Sequence, residues 1–141
     1  MAMMKIMNNI NLTLDLDKIN FQNEMIGKAL NNRNLYAKER RLMLNNLVSQ
    51  INHQLLTQPI NDFHDHKPFK LDFVWHLKNY RHDADNISSA GRKIILDAMQ
   101  KSTDIFGNKL ICNDNLHWLN EFHDRFVVDG NNFVEIFMTS N

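Results

Sequence analysis

With 141 residues, 43% apolar and 23% charged, the chain is expected to form one soluble globular domain able to bury a core without disulfide or metal staples. Its single cysteine, Cys112, excludes an internal disulfide and fits a cytoplasmic location. No apolar run approaches the ~20 residues of a membrane span, and the opening Met-Ala-Met-Met-Lys-Ile-Met is too short for a signal-peptide core.

Lys+Arg and Asp+Glu number 16 each, so the net charge is +0 and a protein-wide basic footprint for nucleic acid is excluded. Charge is nevertheless segregated. Residues 66–101 carry seven bases against four acids, net +3, and residues 102–141 carry two against six, net −4.

In chain order, residues 10–17 alternate strictly and predict a half-buried strand with Ile10, Leu12, Leu14 and Leu16 facing inward. A short helix is expected over 21–30, interrupted by Asn31-Asn32-Arg33-Asn34. Leu44, Leu47, Val48, Ile51 and Leu55 form one stripe of an amphipathic helix over roughly 35–56. Residues 57–69 hold both prolines and read as a loop. Leu71, Phe73, Trp75 and Leu77 alternate with Lys70, Asp72, Val74 and His76 in a second strand. A helix follows near 86–101, with Ile87, Ala90, Ile94 and Ala98 on one face. The last segments, about 116–128 and 133–138, predict a hairpin across Asp129-Gly130. The order β-α-α-β-α-β-β describes a single small α+β domain, a mixed sheet with helices packed on it.

The chemistry concentrates in His82-Asp83-Ala84-Asp85-Asn86, just ahead of the third helix. In extended chain, residues i and i+2 project to the same side, so two carboxylates repel unless a cation lies between them. Mg²⁺ is usually held by one or two carboxylates together with water and phosphate oxygens. The bland alternative is that Asp85 or Asn86 caps the helix and Asp83 is a solvated loop acid. A third acid, Asp114, stands in Asn113-Asp114-Asn115. A helix and return strand could bring it beside Asp83 and Asp85. Three acids with a nearby lysine suit metal-assisted phosphodiester hydrolysis.

Seven histidines offer no zinc pattern: His64 and His66 share a loop without a cysteine pair, and His117 and His123 read as surface residues. No Gly-rich phosphate loop or nucleophile elbow is present.

Arg81-His82-Asp83-Ala84-Asp85-Asn86, then Ile95-Leu96-Asp97-Ala98-Met99, then Asn113-Asp114 before a strand, resembles the pattern of the RusA family of Holliday-junction resolvases. Asn23-Glu24, Asn34-Leu35-Tyr36-Ala37-Lys38 and Lys67-Pro68 before Phe73-Val74-Trp75 resemble its phage-type members, so the resemblance spans about 20–138. It implies a homodimeric endonuclease that resolves four-way DNA junctions by paired symmetric nicks. Asp83, Asp85 and Asp114 would bind Mg²⁺ (or Mn²⁺), with Asn86 in support. The family's catalytic lysine falls at Ser89 here. Counting back from the Leu-Asp-Ala segment, the matching lysine is Lys93, four residues on.

Lys78, Arg81, Arg92, Lys93 and Lys101 are expected to flank the acids on one face and hold DNA, with Arg33, Lys38, Arg40 and Arg41 as the alternative surface. Rival readings are a related metal-dependent nuclease acting on flaps or forks, and a non-enzymatic DNA- or protein-binding module.

Overall fold

The computed structural model describes residues 9–19, 33–81 and 83–141. The helix expected over 21–30 and His82 lie outside these residues. Strand β1 (Asn9–Asp15) alternates as the sequence predicts, with Ile10, Leu12 and Leu14 buried. Helix α1 (Arg33–Leu55) follows, then β2 (Phe69–Leu77), helix α2 (Arg92–Lys101), β3 (Leu119–Val128) and β4 (Phe133–Ser140).

The four strands form one mixed sheet in the order β1-β4-β2-β3. β4 is antiparallel to both β1 and β2, and β3 is parallel to β2. Ile10, Leu12, Leu14, Phe69, Leu71, Phe73, Trp75, Val134, Ile136 and Met138 line one face of the sheet and are buried. Met43, Leu44, Leu47, Ile51 and Leu55 of α1 and Ile94, Ile95, Ala98 and Met99 of α2 complete this single core. The α+β architecture with helices on the sheet is therefore as the periodicity indicates.

The hairpin is not. β3 and β4 flank β2 instead of each other, in registers that run from Phe69↔Leu119 to Leu77↔Val128 and from Phe69↔Ser140 to His76↔Phe133. Asp129-Gly130 does turn the chain, with Gly130 at φ 81°. However, the Asp129 and Gly130 amides donate to Leu77 O at 3.1 and 3.2 Å, so the link passes over the end of β2. Two smaller corrections apply. The expected loop 57–69 contains a 3-10 helix, Asn61–His66, and the third helix opens earlier, with an α-turn at Ala84–Asn86 and a π-helical turn at Ile87–Gly91.

Each exposed sheet edge leaves a row of unpaired backbone groups. At β1 that row is closed by side chains. Gln50, Gln54 and Gln58 accept from the amides of Asp15, Thr13 and Asn11 at 2.8, 2.8 and 3.0 Å. Their own amide nitrogens donate back to the carbonyls of the same three residues at 3.0, 2.7 and 2.8 Å. Four helical residues rise ~6 Å and two strand residues ~6.6 Å, so glutamines at this spacing stay in step with alternate residues of a strand.

Gln54→Ala should lower the unfolding free energy by about 1–2 kcal/mol, because two backbone bonds are exchanged for water. The triple alanine variant of Gln50, Gln54 and Gln58 should also become aggregation-prone through the bared edge. Urea denaturation and light scattering check both; an unchanged midpoint in the triple variant would show that the ladder contributes nothing.

Candidate functional site

β2 ends at Leu77, and the next residues, Lys78, Tyr80 and Arg81, are exposed, Tyr80 at 88%. Lys78 Nζ lies 3.9 Å from Asp17 Oδ1. Asp83 adopts extended backbone (φ −85°, ψ 122°), and its Oδ1 accepts from the Asp85 amide at 2.9 Å, an N-cap. The cap expected of Asp85 or Asn86 is instead made by Asp83, and it uses one of that residue's carboxylate oxygens. Asp85 is exposed with no described partner for its carboxylate, and Asn86 is half-buried.

The turn that follows has unusual geometry. Ile87–Gly91 is π-helical, a form that appears mostly as single widened turns and frequently at functional sites. The Ser89 hydroxyl donates to Asp85 O at 2.6 Å. In an ideal α-helix a residue four positions on is rotated by ~40°, and a widened turn takes up that overshoot. The four-residue offset between Ser89 and Lys93 coincides with this turn, and both residues are exposed.

Arg92 is turned inward. Its guanidinium pairs with Asp124 of β3 and lies over the rings of Phe73 and Phe122, 5.6 and 4.7 Å from their centroids. Trp75 Nε1 donates to the same Asp124 at 2.9 Å. Arg92 is therefore a structural cation and not part of an open DNA surface.

Asp114 sits elsewhere. Asn115 O accepts from Trp118 and Leu119 at 3.0 and 2.9 Å, and Trp118 O accepts from Phe69 at 2.8 Å. Asp114 is thereby tied to the start of β2, whereas Asp83 and Asp85 follow its end. Asp85 precedes Arg92 by seven residues, and Arg92 meets Asp124 opposite Phe73. Asp83 and Asp85 thus stand just beyond the end of β2, and Asp114 stands ahead of the start of β3. Among the described residues, no three of His, Cys, Asp and Glu are grouped to hold a metal ion. Asp83 and Asp85 fit the two-carboxylate minimum for Mg²⁺.

Of the expected basic face, Lys78, Arg81 and Lys93 are exposed. Lys101 lies at the far end of α2. Lys38 is exposed on α1 and Arg40 pairs with Asp97; Arg33 opens α1, its side chain outside the described residues.

Sequence reasoning missed Tyr80, whose only signal was its place between Lys78 and Arg81. It also missed Asp124, which reads as an ordinary strand acid. His76, near the same end of β2, was read only as a polar strand position. It bonds Asp129 Oδ2 through Nδ1 and Glu135 Oε1 through Nε2, both at 2.6 Å, and stacks on Phe133. Burial alone would lower its pKa, but the two carboxylates outweigh it and raise the value above the ordinary histidine range. The His76 bond in turn holds Asp129 below the usual carboxylate range.

No protein-family model matches the chain, and no curated protein is significantly similar to it.

A histidine whose folded pKa is raised adds stability below its unfolded value of ~6.5, and that stability disappears as pH rises through the folded value. Unfolding free energy should therefore fall as pH increases from the unfolded histidine value into the alkaline range. His76→Gln should be less stable at acid pH and show a flatter profile. Superimposable profiles would remove His76 from the titration.

Proposed function

We propose that the protein is a Mg²⁺-dependent endonuclease that nicks branched DNA, chiefly four-way junctions, and acts as a homodimer in the cytoplasm. The observation that carries this reading is the exposed Asp83/Asp85 pair, set directly ahead of a π-helical turn that leads to Lys93. Single π-helical turns of this kind occur frequently at functional sites. The resemblance of Asp83-Ala84-Asp85-Asn86, Leu96-Asp97-Ala98 and Asn113-Asp114 to the RusA family points to the same chemistry.

Asp83 through its free oxygen, Asp85 and Asp114 are the proposed metal ligands, with Mn²⁺ able to substitute. A cation held by these residues would lower the pKa of an attacking water and offset phosphate charge. Lys93 meets charge developing on the scissile phosphate, and Lys78 and Arg81 hold the flanking backbone. Tyr80 offers its ring to a base unstacked at the branch point. Two symmetric cuts across a two-fold junction call for two active sites related by two-fold symmetry.

Asp85→Asn keeps the size of the side chain and its place in the first turn while deleting a ligand charge. It should leave the melting temperature and junction affinity unchanged or slightly improved, and reduce nicking roughly 10²-fold or more. Cleavage of a synthetic junction, a flap and a fork with and without Mg²⁺ decides the substrate. Junction binding with no Mg²⁺-dependent product in any arm would establish a binding module instead.

A further inference from the structure

The two edges of the sheet are treated differently. β1 has its outer backbone groups closed by the glutamines of and after α1. β3, the other edge strand and ten residues long, has no described group bonded to its outer backbone between Asn120 and Val128. Phe122, Phe126, Val127 and Val128 along it are only half-buried. A long, partly apolar edge of this kind invites another strand.

Its sequence is complementary to itself. Glu121, His123 and Arg125 share the sheet face opposite the helices, and Arg125 is exposed with no described partner. Antiparallel pairing about a two-fold axis at His123 sets Glu121 directly across from the partner's Arg125, and the reverse, giving two cross-strand ion pairs. Pairing centred one residue later, at Asp124, would oppose two aspartates.

We infer that β3 pairs antiparallel with β3 of a second copy of this chain, extending the sheet to eight strands across the dimer. Antiparallel pairing sets the start of one β3 beside the end of its partner. Asp114, which precedes β3 by a short turn, is then carried to the end of the partner sheet where the partner's Asp83 and Asp85 lie. Each active site is composite, taking the acid pair from one protomer and Asp114 from the other. This second step rests on the proposed nuclease reading; the interface does not.

Charge reversal tests the interface without reference to activity. The wild type should sediment as a dimer. Glu121→Arg and Arg125→Glu singly place like charges across the axis and should weaken association by about tenfold or more, and the double exchange should restore it. A monomeric wild type, or a dimer indifferent to both single changes, overturns the interface.

Co-expression of Asp85→Asn with Asp114→Asn chains tests the composite site. Each variant alone should be inactive. Mixed dimers retain one intact site, so a random mixture should recover about a quarter of wild-type sites. No recovery from demonstrably mixed dimers of a cleaving wild type overturns composite sites. An inactive wild type overturns the nuclease reading instead and leaves the charge-reversal result to decide the interface.

Discussion

Asp124 fixes where the helical layer lies on the sheet. Its two oxygens take the Trp75 indole N–H from β2 and the Arg92 guanidinium from α2, so one half-buried carboxylate ties three elements at mid-sheet. Removing one member of such a cluster leaves its partner's charge desolvated and uncompensated, which costs more than the pair contributes when intact. The arginine side chain covers Phe73 and Phe122 at the same time, so it also shields apolar surface. With Arg92 pinned inward, the next residue, Lys93, is left outside, while Ile94, Ile95, Ala98 and Met99 enter the core. The position of Asp83 and Asp85 follows, because they stand at a set distance up the same helical stretch.

The π-turn is the point at which this arrangement departs from regular helix. Ile87 and Gly91, at its two ends, are buried, whereas Ser89 and Ala90 between them are exposed. The extra backbone is therefore taken up on the solvent side. Ile87 and Ile94, seven residues apart, both face the core. The core constrains the two ends of the turn, and the residues between them are free to serve the surface.

Periodicity identified β1, β2 and both long helices, because burial on one face writes a period of two or 3.6 into the sequence, while β3 and β4 were placed from the turn signal between them. Topology was less legible. Asp129-Gly130 is a strong local turn signal, and the turn is there, but no local signal reveals that the end of β2 has been inserted beneath it. The glutamine ladder was visible as Gln50, Gln54 and Gln58 at four-residue spacing, yet amides on the rim of a helix read as solvated until the strand beside them is known. The Asp83/Asp85 pair was legible for the same reason as the helix it opens: both depend on near neighbours in sequence. The course of the chain that carries Asp114 was less legible, since residues 102–118 carry no periodicity. Their course is set by contacts such as Asp104, which accepts from the Ile60 amide at 3.0 Å and from the amides of Phe106 and Asn108.

The neutral total and the acidic last third of the chain are a weaker argument against a polyanionic partner than they first look. Of the six acids in 102–141, five are occupied internally. Asp104 lies among backbone amides, Asp124 pairs with Arg92, Asp129 and Glu135 bracket His76, and Glu121 bonds His123. A carboxylate satisfied this way projects little field toward solvent, because its partner's charge or dipole opposes it at close range. Asp114 is the one acid of that segment with no hydrogen bond or ion pair among the described residues, and Asp85, in the α-turn Ala84–Asn86, is its counterpart. The exposed Lys78, Arg81 and Lys93 face no comparable internal cancellation: Lys78 reaches only an exposed Asp17 at 3.9 Å, and Arg81 and Lys93 have no described acidic partner. Formal charge therefore sums to zero over the molecule although paired and unpaired charges are distributed unevenly along it.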